Sequence, residues 1–133
     1  MENNFEAQQI LVSMMICPDG HILRSRHRHD FQEYKDIDGN YFFLDGGQAY
    51  TRHSGNGKLL TITTDDSHSI IREHFDWGSR GQAGDKPLHY IVLKDMEDSH
   101  INAILETQLH ISIDVRKVFE NEQQFRTLSD NIA

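Results

Sequence analysis

Residues 10–31 read Ile-Leu-Val-Ser-Met-Met-Ile-Cys-Pro-Asp-Gly-His-Ile-Leu-Arg-Ser-Arg-His-Arg-His-Asp-Phe, and this stretch decides the fold. Residues 10–17 form an apolar run, too short for the roughly 20 residues that cross a bilayer and of a length suited to a buried strand. Pro18, Asp19 and Gly20 end the run with strong turn chemistry. Residues 22–31 then read as the antiparallel partner, so the chain opens on a β-hairpin. Successive strand residues face opposite ways. On that reading Arg24, Arg26 and Arg28 share one face, and Ser25, His27 and His29 share the other. The cationic face suits an anion or an acidic partner, and the imidazole face suits proton transfer or a metal.

The hairpin pattern continues outward. Tyr34 leads to a second turn, Asp36-Ile37-Asp38-Gly39-Asn40, and Tyr41-Phe42-Phe43-Leu44 is a buried-looking strand. Asp45-Gly46-Gly47 breaks it, residues 49–53 resume, Ser54-Gly55-Asn56-Gly57 turns again, and residues 58–64 alternate as a strand. This spacing predicts an antiparallel meander or hairpin pair. From Asp65 the period changes. Asp65, Asp66 and Ser67 are candidate N-caps. Ile70, Ile71, His74, Phe75 and Trp77 form a partly apolar helix face, with Gly78 at the C-terminal glycine position. Residues 78–86 read as a glycine-rich loop and 88–93 as a short strand. A second helix opens at 95–99, with Ile101, Ile104 and Leu105 inward. A final helix carries Ile111, Val115, Val118, Phe119 and Phe125 at close to helical spacing. The expectation is a single α+β domain over residues 1–133, frayed at 1–8 and 127–133, with an antiparallel sheet from the N-terminal half packed against two or three C-terminal helices.

Composition narrows the function. The chain of 133 residues carries 13 basic and 21 acidic residues, a net charge of −8, and its one cysteine excludes an internal disulfide or a multi-cysteine zinc site. The acidic balance argues against duplex DNA, whose binding needs many phosphate neutralisations, although a focused patch can still hold one anionic group. No apolar run is long enough for a membrane, and the acidic start lacks the basic opening of a signal peptide. The expected location is the cytoplasm. Cys17 reads as a buried structural thiol.

Four groups carry chemistry. His27 and His29 at i and i+2 are candidate ligands for zinc or another divalent metal, with Asp19, Asp45 or His53 completing the site. They can equally hydrogen-bond neighbouring backbone or carboxylate groups. Arg24, Arg26, Arg28 and Arg52 offer guanidinium forks for phosphate or carboxylate, or pair internally with Glu33, Asp36 and Asp38. Asp45-Gly46-Gly47 with Tyr50 and Arg52 permits close backbone approach to a ligand, or simply makes a turn. The 78–86 loop, with Arg80 and Lys86, could cradle an anion or contact a protein. It has no Gly-Lys-Ser/Thr ending, and it is read as following a helix, whereas a dinucleotide fingerprint follows a strand. No Gly-x-Ser-x-Gly pattern supports a serine hydrolase.

Cys17-Pro18-Asp19-Gly20, Ser25-Arg26-His27-Arg28-His29-Asp30-Phe31, and Asp45-Gly46-Gly47 with Tyr50 and Arg52 together resemble a family of small proteins of tailed bacteriophages and prophages. Weaker echoes are Trp77-Gly78-Ser79-Arg80-Gly81, Pro87-Leu88, and Met96 with Asp98 and His100, so the likeness spans roughly residues 16–105. Shorter proteins of similar look carry zinc-type cysteine pairs around the same hairpin, of which only Cys17 stands here. The turns at Asp19 and Gly39 must then hold the hairpin. The resemblance implies a phage origin and host cytoplasm rather than an activity. Small phage proteins of this kind bind and redirect host factors, so the preferred reading is a non-enzymatic accessory protein that binds and modulates, by inhibition, a host enzyme or defence factor without a cofactor; from the residues themselves, Arg24, Arg26, Arg28, Arg52 and Arg80 are its candidate contacts for an anionic group. The alternative is a small enzyme acting on a nucleotide or nucleic acid, with His27 or His29 as general base or metal ligand, oriented by Asp30 or Asp45. A third reading is a structural oligomer with the final helix as its interface.

Overall fold

The structure is a computed structural model and describes residues 8–132. It is an α+β chain, with antiparallel sheets from the N-terminal half and three helices in the C-terminal half. Two compact units divide the described residues, one of residues 8–65 and one of residues 66–132.

The N-terminal unit contains β1 (Ile10–Ile16), β2 (Ile22–Ser25), β3 (Gln32–Lys35), β4 (Tyr41–Asp45), β5 (Arg52–Ser54) and β6 (Lys58–Thr63). They form two antiparallel sheets, in the orders β2-β1-β6 and β3-β4-β5. Both anticipated turns form. The Cys17 and Gly20 amides bond the His21 and Cys17 carbonyls at 2.8 Å each, and the Gly39 amide bonds the Asp36 carbonyl at 3.1 Å. Met15, Cys17, Leu23, Phe42 and Leu44 form one buried cluster drawn from both sheets, with Tyr34 and Leu59 against it. Leu44 has no exposed surface, as its place in the most apolar strand requires. Burial pushes the Cys17 thiol up, which suits a structural cysteine. The Asp19 turn is anchored through its side chain. Tyr34 donates to Asp19 at 2.6 Å, and the His21 ring stacks on Tyr34 with centroids 3.7 Å apart. That hydrogen bond pushes the Tyr34 phenol up to about 12 and holds the Asp19 carboxyl below its usual range.

The second unit contains α1 (His68–His74), β7 (Asp76–Ser79), β8 (His89–Val92), a 3-10 turn (Leu93–Asp95), α2 (Asp98–Thr107) and α3 (Ile113–Ile132). One difference from the sequence reading stands out. The first helix stops at His74, and Trp77 and Gly78 lie in β7, paired antiparallel with Ile91 and Tyr90 of β8. The ladder to β8 is non-local, so residues 76–79 satisfy a helical pattern yet take the strand. The last helix runs through Ile132; of the termini read as frayed, residues 1–7 and 133 lie outside the described residues. Phe119 of α3 gathers the core, with Phe75 and Trp77 meeting it edge to face at 5.8 and 5.3 Å.

A buried charge cluster ties these elements together. Glu122 is fully buried and accepts from His68 Nε2 at 2.8 Å, from Arg72 Nε and Nη2 at 2.9 Å each, and from Arg126 Nε at 2.7 Å. Arg126 also reaches Asp98 Oδ1 at 2.7 Å and the Leu93 carbonyl at 3.0 Å, so one guanidinium fixes α3 against α2 and the 3-10 turn. Burial alone would raise the Glu122 carboxyl; the bonds from His68, Arg72 and Arg126 outweigh it and lower it to about 2. Among the described residues, no helix is long and apolar enough to cross a membrane.

Candidate functional site

The signature stretch does not run on as a strand. β2 ends at Ser25, and residues 26–31 fold into a tight turn. Two side chains cause this by offering the backbone partners other than a neighbouring strand. Asp30 Oδ2 accepts the Arg26 amide at 2.8 Å, and Ser25 Oγ donates to the Asp30 carbonyl at 2.6 Å. The Asp30 amide bonds the His27 carbonyl at 3.0 Å, and Gln32 Nε2 donates to Asp30 Oδ1 at 2.6 Å. The expectation that Arg24, Arg26 and Arg28 share one strand face is therefore corrected, and so is the matching face of Ser25, His27 and His29. Only Arg24 and Ser25 lie in the strand, and they alternate there, Arg24 half-buried and Ser25 buried.

The second sequence cluster braces this turn from behind. The Gly47 amide donates to Ser25 Oγ at 2.8 Å. Gly47 has φ 52°, and a Cβ there would fall 2.3 Å from the His27 amide nitrogen, so a side chain at 47 would push the turn away. Asp45 is buried and its Oδ2 accepts from Arg52 Nη2 at 2.9 Å, Arg52 Nε at 3.2 Å and the Tyr50 hydroxyl at 3.2 Å. Burial alone would raise its carboxyl, but the bonds from Arg52 and Tyr50 prevail and hold it below its ordinary value. Arg52 is thus committed to Asp45, with its guanidinium 5.0 Å above the Phe43 ring.

The Tyr50 oxygen also lies 2.8 Å from His29 Nδ1. Tyr50 has one proton, and the ionised Asp45 can only accept. With the Tyr50 proton donated to Asp45, Nδ1 of His29 carries a hydrogen and donates to Tyr50, and Nε2 is the ring nitrogen left without a partner in this chain of bonds. His29 is exposed and has φ 64°, the only non-glycine residue with positive φ among the described residues. The bonds from Ser25, Gly47, Asp30 and Tyr50 over-determine that conformation.

The candidate residues sort by what they touch. Arg24 lies 3.9 Å from Met14 Sδ, and His27 Nε2 lies 3.9 Å from Asp30 Oδ2. His53 sits on exposed β5, opposite Leu44 in register, and Asp19 is bonded to Tyr34. Among the described residues, no three His, Cys, Asp or Glu side chains converge as a metal site. Of the eight arginines, Arg28 and Arg80 alone have side chains that make no hydrogen bond, ion pair or ring contact within the described structure. Arg80 belongs to the second unit. The loop that carries it follows strand β7 rather than a helix and joins two antiparallel strands.

Comparison with protein-family models, curated proteins and solved structures finds no match. The function is therefore argued from the site alone. Sequence reading found His29, Asp45, Asp30 and Arg52, but not the bracing by Ser25 or the bridging by Tyr50. Neither depends on a motif; both depend on the return of residues 45–50 onto the turn.

Proposed function

We propose that the turn at residues 26–31 is the contact surface of a phage-encoded accessory protein that binds and inhibits a host enzyme or defence factor. The observation that supports this reading most is Arg28. It is exposed, its guanidinium makes no ion pair or hydrogen bond among the described residues, and it stands on a turn held by Ser25, Asp30, Gly47 and Tyr50. An unpartnered guanidinium in a chain of net charge −8 is open to an external anion, and a preorganised turn lowers the ordering cost of binding. Positive φ at a non-glycine residue is the kind of local strain that persists where surrounding structure enforces it, often at working surfaces. Arg28, flanked by His27 and His29, fits a phosphate or carboxylate on an acidic partner surface. Affinity capture from host lysate with the wild type and with Arg28→Glu, followed by mass spectrometry, tests the reading. A host protein retained by the wild type and lost with the variant supports it; identical captures from both reject it.

A second reading rests on the His29–Tyr50–Asp45 chain. It fixes one imidazole nitrogen and leaves Nε2 outward, as a general base acting on a nucleotide or nucleic acid requires. His29→Ala separates the two readings: it removes turnover if the chain is catalytic, and it leaves capture largely intact if Arg28 carries the contact.

A further inference from the structure

We propose that the cleft between the β7–β8 hairpin and α2 is a binding site for a nucleoside monophosphate whose base carries an exocyclic amino group. This site lies wholly within the second unit and does not depend on the turn at residues 26–31.

The cleft has a volume of about 690 Å³, within the size range of small-molecule sites. Its walls carry opposite charge. The hairpin wall presents Arg80, Lys86 and His89, and the wall from the 3-10 turn and the start of α2 presents Asp95 and Glu97. Trp77, Ile91, Met96 and Ile104 add apolar surface.

The cationic wall is assembled by the backbone. The Lys86 amide bonds the Arg80 carbonyl at 3.0 Å, which sets the two cations across the hairpin from each other. Gly81, at φ 82°, lets the lysine stem lie against the chain, since a Cβ there would come 3.0 Å from Lys86 Cδ. Neither Arg80 nor Lys86 has a counter-ion within the described structure. Like charges placed opposite one another repel, and a bound dianion removes that repulsion. A guanidinium fork beside an ammonium suits a phosphate monoester. His89 adds a third group, its Nδ1 held by the Pro87 carbonyl at 3.3 Å.

The rest of the cleft sets the rest of the ligand. Carboxylates on the facing wall repel a second phosphate, so the anion is confined to one end. They accept N–H donors, as Asp and Glu accept the amino group of cytosine. An aromatic and apolar lining takes a planar ring, as base stacking on aromatic side chains does elsewhere. Adenosine, cytidine and guanosine monophosphates meet these conditions; uridine monophosphate lacks the amino group.

Trp77 is the only tryptophan in the chain and lines the cleft, so its fluorescence reports occupancy directly. Adenosine, cytidine and uridine monophosphates, adenosine and inorganic phosphate are each titrated into the 133-residue chain, with calorimetry in parallel. Adenosine and cytidine monophosphates should give saturable signals, each at least about tenfold tighter than uridine monophosphate, adenosine or phosphate. Arg80→Glu and Lys86→Gln should each weaken them about tenfold or more, with unchanged circular dichroism, and Arg28→Glu should leave them unaltered. Absence of saturable binding at millimolar mononucleotide overturns the proposal. So does inorganic phosphate binding as tightly as the nucleotides, or full affinity retained by both cleft variants.

Discussion

Replacing Glu122 by Gln should unfold the second unit more readily than any surface change, and the size of the effect can be worked from the cluster. Glu122 has no exposed surface and accepts four hydrogen bonds from His68, Arg72 and Arg126. Its carboxyl falls from an ordinary 4.5 to about 2 in the folded state. At about 1.4 kcal/mol per pH unit, that interval is worth about 3–4 kcal/mol. Breaking one side of a buried ion pair costs a similar 3–5 kcal/mol, roughly, because the remaining charge stays buried without its partner. Glutamine keeps the shape and one acceptor, but turns an amide donor toward guanidinium donors. The loss at neutral pH should therefore be about 3–4 kcal/mol. The pH dependence follows from the direction of the shift. A depressed carboxyl stabilises the fold above its unfolded value, so the contribution is complete above about pH 4.5 and disappears as pH falls toward about 2. Urea denaturation followed by Trp77 fluorescence reads this unit, since Trp77 packs on Phe119 of α3. The wild type should lose stability through that acid window and the variant should lose far less. A variant within about 1 kcal/mol of wild type at pH 7, with the same acid limb, would refute the reasoning.

Other perturbations test the N-terminal unit. Leu44→Ala should cost about 2–5 kcal/mol in denaturant unfolding, since Leu44 is fully enclosed by the two sheets; a loss well under 1 kcal/mol would contradict that burial. Gly47→Ala should destabilise by more than about 1 kcal/mol, because its Cβ would strike the His27 backbone and its φ is positive; an unchanged melting temperature would show that the turn does not rest on Gly47. Tyr50→Phe should keep the fold but release His29 from the Nδ1–H tautomer, and heteronuclear NMR of the imidazole nitrogens reads that change. The same tautomer in both proteins would remove Tyr50 from the chain joining His29 to Asp45.

What the sequence revealed was whatever is decided locally. Pro18-Asp19-Gly20 and Asp36-Ile37-Asp38-Gly39-Asn40 carry their own turn chemistry, and both turns form where it places them. The apolar strand 41–44 buries Leu44 for the same reason. Readings failed where a distant partner decides. β2 stops at Ser25 because Ser25 and Asp30 find partners in the turn and at Gly47, 22 residues away in the first case. Residues 76–79 leave the helix for a ladder to β8. Glu122 gave a signal that composition hides: it stands seven positions after Val115 on the stripe of Val115, Val118 and Phe119, where a buried position falls. Its hydrogen-bond donors, His68 and Arg72, lie 54 and 50 residues earlier, so their convergence could not be read from spacing.

The account stands most directly on Arg28 as the outward charge of a rigid turn. The decisive measurement is the affinity of the wild type and of Arg28→Glu for the host protein captured by the wild type, across a range of salt concentrations. The account predicts that the variant folds normally, binds at least about tenfold more weakly, and shows a shallower salt dependence, because an attractive contact has become a repulsive one. Equal affinity with an unchanged salt slope would contradict it.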